Sequence, residues 1–290
     1  MKSFKKIAFR IFSSQASYLV ELLPEIRENL KRGKFKYSAK EYLSLSLFSS
    51  FLCFIISLPI FSFILSFSFP IFSFSFFFSI TLSLLASAIV FIIFLHYPKF
   101  VANSIAKKID AELPFATLYL KTLSSSKLPL HQVFELFGKF GEFPAIRNEI
   151  KGITTDIKYF GLDVITAIER AIDRTPSKEF RELLWGILST TEAGGDINNY
   201  LKEKADSLFQ EYRRKLHQFS QSLTIYIEIY LTSVVLGTIF FSVLTSIISA
   251  ISKVTGNIVF IQFLLVFIFL PLVSIIFAFI IKSAAPGEEK

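Results

Sequence analysis

Few residues in this 290-residue chain have the types and spacing that chemistry requires. His96, His131 and His217 stand apart, and no HExxH or paired ExxH pattern joins them to a carboxylate. Cys53 is the only cysteine, which excludes an intrachain disulfide and a Cys-based metal cage. Gly138-Lys139-Phe140-Gly141 has the wrong spacing for a phosphate-binding G-x-x-x-x-G-K-[ST] loop, and no spacing suggests a Ser-His-Asp arrangement. The expectation is a chain that is not an enzyme, with no catalytic residue, bound metal or cofactor. Three other features stand out. Gly194-Gly195-Asp196 is a strong turn signal, and Lys202, Arg213, Arg214 and Lys215 form a basic stretch beyond it. Glu228 is the one acid inside a long apolar run. A carboxylate within lipid is costly and marks an interhelical contact or a gate. About two turns from the membrane boundary, it reads more readily as a headgroup-level residue.

The elements that must position these residues follow from composition. Hydrophobic residues make up 52 % of the chain, charged residues 19 %, and phenylalanine alone contributes 36 positions. The mean hydropathy is +0.56. A soluble globule of this size lacks the interior to hide so much apolar surface, so lipid must cover it. The charges alternate in blocks. The first 41 residues hold ten Lys/Arg and four Glu, whereas residues 42–98 hold no charge. Residues 99–222 carry 18 basic and 16 acidic side chains, and from Leu223 to Ile281 only Glu228 and Lys253 are charged.

A bilayer crossing takes about 20 apolar residues. The uncharged run reads as two spans, near Tyr42–Leu65 and Pro70–His96, with a tight turn at Ser66–Pro70 and a bend at Pro59. The second apolar block breaks at Ser252–Asn257 into spans near Leu223–Ile251 and Ile258–Ile281. Phe61–Ser79 nearly alternates Phe and Ser. An isolated strand in lipid would leave its backbone unpaired, so this segment is expected to be helix, with serines bonding back one turn. Its serines read either as a helix interface or as lipid-facing filler.

The expected fold is therefore all-α: a polytopic membrane protein with four transmembrane helices and a cytoplasmic helical bundle inserted between helices two and three. The expected divisions are a basic arm (1–41), spans one and two (42–98), the bundle (99–222), spans three and four (223–282) and a short tail (283–290). Basic flanks resist translocation, which puts both termini and the bundle in the cytoplasm. No Asn-x-Ser/Thr sequon is present and no apolar h-region follows Met1, so no cleavable signal peptide is expected. The net charge of +8 is explained by this topology and calls for no nucleic-acid partner. Phe4, Ile7, Ala8, Ile11 and Phe12 recur at helical spacing among lysines, an amphipathic basic helix. It reads as lying on the anionic leaflet or packing on the bundle.

Turn signals divide the charged block. Helices are expected over Val101–Leu113, from Pro114 to about Ser124, from Pro129 to near Gly138 and from Phe143 to Gly161. Another runs from an Asp163 cap to Arg174, and Thr175-Pro176 caps and starts Ser177–Glu192. Gly194-Gly195 ends that helix and Asp196 caps the next. Ile197, Leu201, Ala205, Leu208, Tyr212, Leu216 and Phe219 step by three or four, and no Gly or Pro interrupts the path to Leu236. One rod running into span three is expected. The alternative is two helices broken near Gln218–Ser222.

Thr190-Thr191-Glu192-Ala193-Gly194-Gly195-Asp196-Ile197, followed by Leu201 and Ala205, resembles the glycine turn of the type II secretion system F domain family. Leu123–Glu135 is similar to the same family's first helix pair, and Phe160–Ile168 to its Gly-led helix start. Leu30 to Leu43 is similar to archaeal members. The resemblance covers residues 100–222 well and the whole layout loosely. Pilus and secretion platforms of bacteria usually carry two F domains and three spans. One F domain with four spans is like the archaeal archaellum and type IV pilus platforms, or the tight-adherence type.

The resemblance implies a non-enzymatic platform in the cell membrane. A cytoplasmic hexameric secretion-type ATPase would dock on the bundle, and its motion would pass along the rod to the spans, helping pilin-like subunits enter the filament. Gly194, Gly195 and Asp196 would set the turn before the rod, and Lys202, Arg213, Arg214 and Lys215 would offer charge to the ATPase. Membrane lipid and a second copy in a homodimer complete the implied partners. The competing class is a membrane transporter or channel subunit, which would place several polar groups near the bilayer midplane.

Overall fold

The computed structural model describes residues 2–68, 72–251, 260, 263–264, 267–268 and 270–284, and all regular structure among them is helical. The chain divides into two compact units, one of Met1–Ala116 with Thr122–Tyr200, the other of Thr117–Lys121 with Leu201–Lys290.

The first unit opens with α1 (Lys2–Leu22) and α2 (Glu25–Arg32), followed by α3 (Ala39–Ser68). A reciprocal cap starts α3: the Glu41 amide donates to Ser38 Oγ (3.2 Å), and the Ser38 amide donates to Glu41 Oε2 (3.1 Å). The principal partner of α1 is α3. Phe12 meets the rings of Phe48 and Phe51, while Ala16 is buried with Tyr42 and Leu43, so the two helices run antiparallel. Phe12 and Ala16 of α1 are thus covered by the first apolar helix, a partner that neither sequence reading named, while Ile7 and Ile11 of the expected stripe stay exposed.

The helix α4 (Phe72–Ser124) pairs with α3. Ser50 and Ser87 join the two reciprocally: each hydroxyl donates to the other's carbonyl at 3.0 Å. The Ser79 hydroxyl bonds back to Phe76 O (2.8 Å), as expected for serine in an apolar helix. The boundaries expected at Pro98 and Pro114 are not there, and α4 runs unbroken through both prolines for 53 residues, about 80 Å. Each proline lacks an N–H and leaves the carbonyl four residues earlier open. At Pro98 that carbonyl is Phe94 O, which accepts from the Tyr42 hydroxyl at 2.8 Å. The end of α3 also corrects the turn expected at Ser66–Pro70, since the helix runs through Ser68; residues 69–71 lie outside the described residues.

Four short helices follow: α5 (Leu130–Phe140), α6 (Pro144–Phe160), α7 (Val164–Arg174) and α8 (Lys178–Glu192), each packed on the next. Their ends fall where the turn residues put them. Pro144 opens α6, and Gly161, at φ +66°, closes it in the left-handed region. Asp163 accepts from the Thr166 amide and caps α7. At α8 the cap is Ser177, not Thr175, with the Phe180 amide donating to its hydroxyl at 2.9 Å. The core joins Ile109 and Leu113 of α4 with Phe134, Phe137, Ile150, Ile153, Ile168, Phe180 and Leu183, all essentially unexposed. Burying each such side chain contributes about 1.5–3 kcal/mol.

In the second unit, α9 (Ile197–Tyr230) passes into a π-helical turn, Leu231–Leu236, and then α10 (Gly237–Ile251). The backbone stays helical across Gln218–Ser222, so the single-helix reading holds there, while the departure from α geometry comes later, at Leu231. A last helix, α11 (Leu270–Ala284), meets α9 where Tyr230 Oη lies 2.9 Å from Ser274 Oγ. Among the described residues, three helices are long and apolar enough to cross a membrane: Ala39–Leu65, Phe76–Ser124 and Ile197–Ile248. A shorter apolar helix covers Pro271–Lys282. The break expected at Ser252–Asn257 and part of the span expected at Ile258–Ile281 lie outside the described residues, as does most of the tail.

Candidate functional site

Within the first unit the short helices are held by polar side chains rather than by apolar packing alone. From α4, the Glu112 carboxylate reaches the start of α6, where the Ala145 and Ile146 amides donate to its Oε2 at 2.9 and 3.1 Å. No local side chain caps that terminus, so a distant acid supplies the acceptor that its open N–H groups need. Two residues earlier on α4, Asp110 accepts from the hydroxyl of Ser177, the cap of α8.

A charged seam lies beside these caps. Glu149, on α6, is fully buried, and Lys34 Nζ lies 2.6 Å from its Oε1, a close ion pair without hydrogen-bond alignment. Lys34 sits at φ +57° in the connection before α3. Asp156, about two turns further along α6, pairs with Arg174 Nη1 of α7 at 2.8 Å. The guanidinium lies across Gly152, where a Cβ would come within 2.2 Å of Nη2. Glu135 of α5 pairs with Lys139 (2.8 Å) and Lys158 of α6 (2.6 Å). Hydrogen bonds from Lys139 first and Lys158 next draw its pKa from the usual 4.5 down to about 2. The Thr166 hydroxyl, and then its amide, likewise hold Asp163 below the ordinary carboxylate range. The acids of this seam each have a cation or an amide as partner, which is a structural arrangement.

The turn expected at Gly194-Gly195-Asp196 has the predicted geometry. Gly194 adopts φ +67°, its amide donates to Thr191 O (3.1 Å), and the Gly195 amide donates to Thr190 O (2.8 Å), a Schellman closure of α8. Asp196 Oδ1 accepts from the Asn198 amide at 2.9 Å and starts α9. All three residues are exposed. A latch follows directly: the Tyr200 hydroxyl donates to Leu183 O at 3.2 Å, and its ring lies against Gly186, where a Cβ would come within 1.9 Å of Oη.

The basic residues belong to the other unit. Lys202, Arg213, Arg214 and Lys215 are all exposed on α9. Arg213 covers the Phe209 ring at 5.0 Å, and Lys215 pairs with Glu211 at 2.8 Å. Glu228 is exposed on the same helix, flanked by exposed Ile227 and Ile229. Gly194, Gly195 and Asp196 thus lie in the first unit, and the basic stretch and Glu228 in the second. His96, His131 and His217 are exposed, and among the described residues no three His, Cys, Asp or Glu side chains converge as a metal site.

Sequence reasoning missed Glu112, Asp110 and the residues around Gly152 and Gly186. Both glycines sit inside helices, and a glycine there signals close approach of another group. That signal was available. The identity of the approaching side chains, Arg174 and Tyr200, was not.

Comparisons with known proteins bear on this arrangement. An uncharacterised protein of Methanocaldococcus jannaschii, MJ1286, is 27 % identical over 207 residues, which is 70 % of this chain and 35 % of that protein. A second uncharacterised protein of the same organism, MJ0780, is 27 % identical over 93 residues, 32 % of this chain and 28 % of its own length. The chain thus spans about a third of the length of the curated relatives it matches. No solved structure matches it. The model of the family described as type II secretion system (T2SS), protein F, matches residues 116–245. The match starts later than the expected 100–222 and continues through α9 into α10. It takes in α5 to α8, the glycine turn and the whole of α9, and the likeness to the type II secretion system protein F family rests on these residues.

Proposed function

We propose that this chain is an integral membrane platform of a type IV pilus-like, archaellum or type II secretion assembly machine. In this reading it is non-catalytic and couples a cytoplasmic hexameric ATPase to the entry of pilin-like subunits into a filament. The observation that carries the reading is the F-domain match over a charged helical bundle that long apolar helices flank on both sides. Four spans, with both termini and the bundle in the cytoplasm, complete the proposed layout. The basic first 41 residues support that orientation.

The proposed division of labour is the following. Gly194, Gly195 and Asp196 fix the direction in which α9 leaves α8. Lys202, Arg213, Arg214 and Lys215 offer α9 to an acidic face of the ATPase. Glu228 contributes an interhelical contact near the membrane boundary. Surface charges of this kind set encounter rate and register more than final affinity.

The test is direct binding. The full chain, purified in detergent, is titrated with the secretion-type ATPase of the same cell, and ATP turnover is followed in parallel. Saturable binding that weakens on charge reversal at Arg213 and Arg214 supports the platform reading. Absence of binding, with helicity intact and the ATPase active, rejects direct docking.

A further inference from the structure

A cavity of about 660 Å³ opens between α1 and the start of α3. Its polar lining includes Arg10, Ser13, Lys36 and Tyr37, and its apolar lining includes Phe9 and Leu45. Glu41 also borders it, but that carboxylate already accepts from the Ser38 amide in the cap of α3. Arg10 and Lys36 form no ion pair among the described residues, so the cavity presents two cations against one engaged acid. It lies where the uncharged run of α3 begins. Beside it, α1 keeps Ile7, Phe9 and Ile11 between 43 and 55 % exposed, next to Arg10 and following Lys5 and Lys6 in the sequence.

We propose that this cavity holds the phosphodiester headgroup of an anionic membrane lipid. Arg10 and Lys36 neutralise the phosphate, the hydroxyl of Ser13 donates to its oxygens, and Phe9 and Leu45 border the first segment of the hydrocarbon chains. Cations alone would suit any phosphate. The apolar wall at the head of a membrane-length helix selects one attached to a hydrocarbon chain. The site rests on reading α3 as a membrane span, and it assigns α1 a role: a clamp that seats one lipid against the first span.

The experiment uses the full chain in nanodiscs of phosphatidylcholine, alone or with a minor fraction of phosphatidylglycerol, followed by mild delipidation and native mass spectrometry. Retention of one phosphatidylglycerol in preference to phosphatidylcholine is expected. Arg10→Gln and Lys36→Gln each lower that retention about fivefold. Lys40→Gln, an exposed lysine outside the cavity, leaves it unchanged. Circular dichroism checks that each variant keeps its helicity. Equal retention of the two lipids, or an equal loss in Lys40→Gln, overturns the site. Displacement by inorganic phosphate alone assigns the cavity to a soluble anion and overturns the lipid. ATPase binding by the unsubstituted chain separates the two readings, because equal retention of the two lipids with intact ATPase binding overturns this site and leaves the platform role standing.

Discussion

The Tyr42 hydroxyl donates at 2.8 Å to the Phe94 carbonyl, the acceptor that Pro98 leaves open because it has no N–H to offer. A proline that would end or kink α4 is thereby accommodated by a side chain 52 residues earlier in the chain. Removing the hydroxyl in Tyr42→Phe exposes the cost of that open carbonyl, about 1–3 kcal/mol. Thermal unfolding in detergent reads the loss. Adding Pro98→Ala supplies an amide for Phe94 O and recovers most of it. Equal stability of Tyr42→Phe and wild type would show that the carbonyl needs no donor.

Gly152 makes room for Arg174. In Gly152→Ala the new Cβ meets the guanidinium and forces it off Asp156, a half-buried pair at 2.8 Å. The expected destabilisation is about 1–3 kcal/mol. Combining Gly152→Ala with Arg174→Ala costs less than the sum of the two, because both remove the same contact. Additive costs in denaturant titrations would refute the coupling.

Gly194 holds φ +67°, and any Cβ there is strained even though the space around it is open. Gly194→Ala is expected to cost about 1–2 kcal/mol, and Gly194→Asn less. Gly195→Ala meets only the Thr190 methyl and carbonyl at 3.2 and 3.4 Å and is expected to be milder. The three variants rank by melting temperature, and a reversed order between Gly194→Ala and Gly195→Ala contradicts the left-handed assignment.

Glu135 makes stability depend on pH. Its folded pKa is lowered from 4.5 to about 2 by Lys139 and Lys158, so the folded form holds fewer protons than the unfolded form in that window. The stabilisation is complete above pH 4.5 and is lost as pH falls towards 2. Glu135→Gln flattens that part of the stability profile. Both partners are half-exposed or more, so added salt also weakens the effect.

The limits of the sequence are clearest at the prolines. Pro144, Asp163 and Gly161 act on their own backbone, and their local chemistry placed the ends of α6 and α7 correctly. Pro98 and Pro114 carry the same local signal, yet α4 continues through both. What rescues it at Pro98, the hydroxyl of Tyr42, is a tertiary contact with no trace in the nearby pattern. The same holds for Glu112, which reads as a surface acid on an amphipathic helix until the start of α6 is placed against it. The glycine turn was legible because Gly194, Gly195 and Asp196 each perform a local task. The partner of α1 was not, since an amphipathic stripe says that a helix must be covered and leaves open by what.

Asp110 and Glu112 stand two positions apart on α4, roughly 200° around the helix. Each holds the first turn of a different helix, α8 through Ser177 and α6 through Ala145 and Ile146. Turning α4 about its own axis would uncap α6 and at the same time take Asp110 away from Ser177, the cap of α8. Tilting or sliding α4 with the two helices attached disturbs neither cap. The helix is therefore keyed against torsion at these two positions, while translation along with its two partners leaves both contacts in place.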